Sequence, residues 1–231
     1  MKKNTLLSST VIAICLTLGL QPAHAEGAKR YIGLNLIAGA PINAFNGYNT
    51  AGNFSNKDTV QVDYQGISLT YGIQDKWNWK GVTITPEVEL AWFNDYDVVS
   101  ASFPGLPNPA FHYRSNIQTG RIGVNLWGLV NQGTRWRTEF GIGGGVVYQD
   151  IQTYDTVVSG SKSSTSGYGM VGLRYLRDVG SRGQLSASAV VVKTGRSSIS
   201  LTDLGGVDAG NLSVSTLTPE FRIGYHLTLG Q

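Results

Sequence analysis

From residue 217 the chain alternates. Leu217, Pro219, Phe221, Ile223, Tyr225, Leu227 and Leu229 are apolar or aromatic; Thr218, Glu220, Arg222, Gly224, His226, Thr228 and Gly230 between them are not. Successive strand side chains point to opposite faces, so this stretch has one greasy face and one carrying a carboxylate and a guanidinium. The same period predicts strands over 30–40, 59–73, 81–94, 113–130, 135–151, 165–177 and 184–194, with the segment after 212 as the eighth. In the first, Ile32, Leu34 and Leu36 oppose Tyr31, Gly33 and Asn35; in the fourth, Ile122, Val124 and Leu126 oppose Arg121, Gly123 and Asn125. In the second, Val60, Val62 and Tyr64 lie on one parity and Ile67, Leu69, Tyr71 and Ile73 on the other. That phase slip at Gln65-Gly66 predicts a β-bulge. Pro86 lacks a ladder donor and is expected at a bulge or a locally unpaired site.

The links alternate in length. Long ones cover 41–58, 95–112, 152–164 and 195–212; short ones cover 74–80, 131–134 and 178–183. An even number of antiparallel strands, short turns at one end and long loops at the other is the pattern of a transmembrane barrel. The expected fold is therefore all-β, an eight-stranded antiparallel transmembrane β-barrel wound as an up-and-down meander. A soluble sandwich would show the same alternation. Strand length favours the barrel, because a membrane strand needs about 9–11 tilted residues and soluble strands centre on about 5–6. So do Trp77, Trp79, Trp127 and Trp136, which sit beside the short turns where an aromatic girdle is expected.

Composition adds an export route. Lys2 and Lys3, an apolar run from Leu6 to Leu20, and Ala23-His24-Ala25 ahead of Glu26 read as a signal peptide over 1–25, leaving a barrel domain at 26–231. The single cysteine, Cys15, lies in the leader and follows Ile14, which argues against lipidation. The mature chain then has no disulfide, thiolate nucleophile or cysteine metal site. Removing Lys2 and Lys3 lowers the basic count from 18 to 16 against 15 acids, so nothing points to a nucleic-acid partner.

With the apolar face on lipid, the opposite face must fill a lumen just wide enough for side chains. The expected lumen charges are Glu87, Glu89, Arg121, Arg135, Arg137, Glu139, Arg174, Glu220 and Arg222. A buried charge without its partner is costly, so these are expected to pair across strands as an ionic ladder that plugs the barrel. The inward glycines Gly141, Gly143 and Gly145 would make room for them.

RTEFGIGGGVVYQD (137–150), GYGMVGLRYLRD (167–178) and the C-terminal strand resemble the small outer-membrane β-barrel family of Gram-negative bacteria, which includes porin-like surface antigens and opacity-type adhesins. The resemblance spans the mature chain in architecture. It implies residence in the cell outer membrane as a monomer, contact with membrane lipid and lipopolysaccharide, and a non-enzymatic structural or surface-interaction role, adhesin- or antigen-like, through four extracellular loops. Such chains usually end in an aromatic residue read by the assembly machinery; this one reads Leu229-Gly230-Gln231, with Tyr225 its last aromatic. A narrow porin-like channel is the second reading.

A lipid A-modifying hydrolase is the third, and its chemistry is thin. FHYRSN (111–116) offers His112 and Ser115, but an odd spacing puts them on opposite faces of a strand. His226 shares a face with Glu220 six positions away, too far for contact along one strand. GIGGGV lies inside a strand pattern and opens no helix, so it is no phosphate loop. Asp95 and Asp97 supply too few oxygens for calcium. No cofactor, metal or catalytic residue is expected. Of the long links, 95–112 carries Tyr96, Phe103, Leu106 and Phe111 stiffened by Pro104, Pro107 and Pro109. These four either contact a macromolecule or lipopolysaccharide, or pack as a lid.

Overall fold

The computed structural model describes residues 29–49, 54–102 and 111–229. The leader expected over 1–25 lies outside them. Eight long staves form a ring. The first is β1 (Lys29–Gly39) continued by β2 (Ile42–Asn49), and the second is β3 (Phe54–Gln61) continued by β4 (Tyr64–Gln74). A short β5 (Trp77–Trp79) folds back on β6 (Val82–Phe93), which β7 (Tyr96–Ser102) extends as the third. The fourth to sixth are β8 (Phe111–Gln132), β9 (Trp136–Tyr154) and β10 (Val158–Val179). The seventh is β11 (Gly183–Thr194) with β12 (Ser197–Asp203), and the eighth is β13 (Asp208–Leu229). All neighbours are antiparallel, and β1 closes the ring on β13 from Arg30↔Leu229 to Gly39↔Glu220. This is an eight-stranded antiparallel barrel.

The staves are longer than expected because the long links are themselves largely strand. β13 pairs with β1 at Gly39↔Glu220 and with β2 at Leu217↔Ile42 in one register, so the chain runs straight through Ala40-Pro41. The four long hairpins thus rise from the membrane barrel as its continuation. Their Ser, Thr and Asn content hid them, because such residues read as loop when composition is scanned before partners are known.

No bulge occurs at Gln65-Gly66. The ladder to β1 runs unbroken through Ile37↔Gly66, Ala38↔Gln65 and Gly39↔Tyr64. The chain keeps its parity there, and the environment of the two faces reverses instead. Below this level Ile67 and Leu69 face outward and Ser68 and Thr70 inward; above it Val62 turns its side chain in. β8 does the same. Arg121 and Asn125 lie inside with Ile122 and Val124 out, whereas higher up Tyr113 and Ile117 lie inside with His112 and Asn116 out. The lower barrel is oil-out and ion-in; the cap formed by the long hairpins is oil-in and polar-out, as water demands. At this boundary, register shifts fall between Trp92↔Gly120 and Tyr96↔Ile117, and between Lys193↔Leu217 and Ser197↔Val214. Each inserts one residue, and each lets a stave re-aim its side chains at this boundary.

At the opposite end the turns are tight. The first short link is a small hairpin, with Trp77↔Ile84 and Trp79↔Val82 paired about Lys80 and Gly81, both at positive φ (51° and 85°). Adjacent left-handed residues make the turn whose twist suits a two-residue hairpin. Pro86 sits where β6 changes partner, between Trp77↔Ile84 and Gly72↔Glu87, the locally unpaired site its missing donor requires.

Candidate functional site

The barrel interior is filled by one connected chain of charged and polar side chains. At its upper end Glu220 accepts from Arg121 Nη1 at 2.6 Å and Nη2 at 3.0 Å, from Arg222 Nη2 at 2.7 Å, and from the Tyr64 hydroxyl. Arg222 Nη1 continues to Glu89 at 2.8 Å. Asn125 bridges the chain by donating to Glu89 Oε2 at 3.1 Å and Glu87 Oε1 at 3.4 Å. Glu87 also accepts from Tyr31 Oη at 2.6 Å, Trp127 Nε1 at 3.2 Å and Arg174 Nη1 at 2.6 Å. Arg174 donates twice to Glu139 Oε2, at 2.8 and 2.6 Å. Arg137 Nε approaches Glu139 Oε1 at 2.8 Å without the angle of a hydrogen bond, while its Nη atoms grip Asp75 at 3.0 and 2.7 Å. Asp75 lies in the turn after β4 and is half exposed, so the chain ends at water.

Each member arrives there by the period-two rule. Glu87 and Glu89 share a face of β6, Arg121 and Asn125 of β8, Arg137 and Glu139 of β9, and Glu220 and Arg222 of β13; Arg174 comes from β10. Alternating signs along the barrel let every carboxylate meet a guanidinium, which offsets the desolvation that a lone buried charge would suffer. The guanidiniums also lie on rings: Arg174 is 4.2 Å from the Trp127 centroid and Arg121 is 4.5 Å from that of Phe93. Gly141 and Gly143 make the room. A Cβ on Gly141 would strike the Trp127 indole, and one on Gly143 the Asn125 amide.

Eight of the nine expected ladder charges lie in this chain. Arg135 does not. It precedes β9, is exposed in the turn, and only its carbonyl is used, accepting from Asp178 N at 2.9 Å. Trp127 is also corrected. It is 2% exposed and lies in the lumen, in phase with Arg121 and Asn125, because its indole N–H finds an acceptor in Glu87. The outer wall keeps Trp77, Trp79 and Trp136, with Tyr175 stacked on Trp136 at 6.3 Å. Trp92 and Tyr148, across Gly120 from each other, mark the other interface.

A second filling lies above the first. Phe45, Val98, Tyr113, Ile117, Ile151, Val158, Ile199, Leu201, Ala209, Leu212 and Val214 form a buried apolar core inside the cap. Tyr64, Phe93 and Tyr96 pack between the two fillings, with Tyr64 edge-on to Phe93 at 4.6 Å. Tyr96, expected on an exposed loop, is instead turned inward by the register shift before β7. Its hydroxyl donates to Asn43 Oδ1 at 3.2 Å, and burial raises its phenol above the ordinary value. Of the other loop candidates, Phe103 and Leu106 lie outside the described residues, as does the side chain of Phe111.

The hydrolase residues do not meet. His112 is exposed, whereas Ser115 is buried and donates to Thr153 Oγ1 at 3.0 Å. His226 lies in the lumen, stacked on Tyr31 at 4.7 Å.

No protein-family model matches the chain. No curated protein sequence matches it either. Solved structures do. The outer membrane protein OprG of Pseudomonas aeruginosa superposes with a TM-score of 0.56 at 10% identity, over 88% of this chain and 97% of that one. The outer membrane protease OmpT of Escherichia coli does so at 0.52 and 8% identity, over 87% and 97%. The fold is that of the small outer-membrane β-barrels. Identities this low carry the fold and no residue role, so what this barrel does rests on its own lumen and cap.

Proposed function

We propose that this chain is an exported, non-enzymatic outer-membrane barrel with a closed lumen, acting as a monomeric structural or surface-interaction protein through its extracellular cap. One observation carries the reading: the interior is filled twice in series, by the ionic chain from Arg121 to Asp75 and by the apolar core from Phe45 to Val214. A conducting pore requires a continuous polar lining, and the apolar core of the cap interrupts the polar one below it, which supports a closed lumen. The β12–β13 tip of the cap is tied down by hydrogen bonds. In the β12–β13 turn Asp203 Oδ1 accepts from Gly205 N and Val207 N, both at 2.8 Å, and presents Leu204 and Val207 to solvent. A pre-ordered, partly apolar tip loses little entropy on contact, which supports a binding role for this end.

Planar-bilayer recording tests the reading. The purified full chain should insert without steady conductance, and Glu139→Gln should leave that unchanged. A steady conductance that Glu139→Gln or Arg137→Gln abolishes would favour the narrow channel and defeat the closed lumen.

A further inference from the structure

A groove of about 740 Å³ lies on the lipid-facing wall. Its floor is made of small outward residues: Ala38 and Ala40 on the first stave, Ala189 on β11 and Pro219 on β13. Register brings them together, since Phe221 is paired with both Ala38 and Ala189, and Pro219 with Val191. Phe221, Leu173, Phe140, Val171 and Val191 stand up as its walls. These residues occupy the extracellular half of the apolar band. On β13 the outward face turns polar at Ser215, two steps above Leu217, and on β11 it turns charged at Lys193, two steps above Val191.

The charge at that boundary is not uniform. Reading upward from the apolar wall, the first outward charge is Asp63 beside β4, Asp95 beyond β6 and Asp150 on β9; it is Arg114 on β8, away from the groove, and on β11 it is Lys193, followed by Arg196. Asp63 also reaches the far edge of the groove. Neither Lys193 nor Arg196 joins an ion pair among the described residues. Two strand residues span about 7 Å, so the Lys193 ammonium stands at headgroup height over the β11 side of the groove. Above Val171 the adjacent outward positions on β10 are Gly169 and Gly167, with Gly169 directly opposite Lys193. The wall is therefore smooth from the groove to the cation.

We propose that this groove is a specific site for one molecule of lipid A, an acyl chain lying over Ala38, Ala189 and Pro219 and a phosphate on Lys193 and Arg196. The site rests on the outer-membrane reading above and gives it a defined lipid partner. A diffuse acyl shell would not discriminate between headgroups, whereas cations on the β11 flank, with Asp63 on the far edge, do.

The test is native mass spectrometry of the full chain released from micelles containing bis-phosphorylated lipid A, its dephosphorylated form, or phosphatidylethanolamine. One tightly held bis-phosphorylated lipid A per barrel is expected. Ala189→Phe, which fills the groove from its lipid side, and Lys193→Glu should each lower its occupancy at least fivefold. Val124→Phe, on the lipid-facing side of β8, should not. Equal retention of all three lipids, or equal occupancy in Ala189→Phe and wild type, would overturn the site. Heat-modifiable mobility, measured on every variant, reports insertion and folding separately, so loss of the barrel cannot be mistaken for loss of the site.

Discussion

At the scale of single residues, Arg174 is the hub of the lumen. It holds Glu87 and Glu139 from β10 and lies against Trp127, and all four side chains are buried. Arg174→Ala leaves Glu87 without its guanidinium and Glu139 with Arg137 alone. Removing one partner of a buried pair costs roughly 3–5 kcal/mol, so the variant should unfold at markedly lower urea when the heat-modifiable band is followed. The double variant Arg174→Met with Glu139→Gln removes one charge of each sign. It should be more stable than the sum of its single changes implies, and additivity within about 0.5 kcal/mol would show the pair uncoupled. Gly141→Val tests packing rather than charge. Its side chain enters the space of the Trp127 indole, and overpacking of this kind costs about 1–3 kcal/mol. Much of the residue-level picture was legible: Glu87, Glu89, Arg121, Arg137, Glu139, Arg174, Glu220 and Arg222 all follow from parity alone. Trp127 was legible too, being in phase with Asn125, and was misread because a tryptophan beside a short turn suggests a girdle. Tyr31, Asn125 and Asp75 escaped because no single strand contains the carboxylate each of the first two serves, or the guanidinium that Asp75 holds.

At the scale of elements, the reversal of the two faces along a continuous stave is what the sequence concealed. A strand whose outward residues run Asn116, Gln118, Ile122, Val124 and whose inward residues run Tyr113, Ile117, Arg121, Asn125 keeps its parity but exchanges its polarity. Read as one pattern, it looks like a slip; that is why a bulge is expected from the sequence at Gln65-Gly66. The shifts at this boundary fall before Tyr96, where the chain reads Asn94-Asp95 with no glycine, and before Ser197, where Gly195 sits among polar residues that read as loop. The reversal predicts a labelling pattern. The only cysteine of the whole chain is Cys15, so single cysteines on β8 report cleanly in intact cells. Gln118→Cys should react with a membrane-impermeant maleimide from outside, whereas Ile117→Cys, inside the cap core, and Ile122→Cys, on lipid, should both be protected. Reaction at 117 with protection at 118 would reverse the assigned faces of the cap.

At the scale of the whole molecule, the two fillings close the same passage by different physics and therefore fail independently. The lower one is electrostatic and geometric, and it depends on matched signs along the chain from Arg121 to Asp75. The upper one is an apolar core that would hold with every lumen charge neutralised, because Ile117, Ile151 and Ile199 are fully buried within an apolar cluster. Two barriers in series conduct only when both are open. The triple change Glu87→Gln, Glu139→Gln and Arg174→Met should thus leave the barrel non-conducting even where it admits water to the lower lumen. Shortening the cap core alone, with Phe45→Ala, Ile117→Ala and Leu212→Ala, should do the same, since the ionic chain stays whole; each such truncation costs about 2–5 kcal/mol, and heat-modifiable mobility checks that the barrel survives. Combining the two sets should produce a steady single-channel conductance in planar bilayers. Conductance from the lumen set alone would mean that the cap is no seal, and the apolar core would then be a stabilising feature of the long hairpins only.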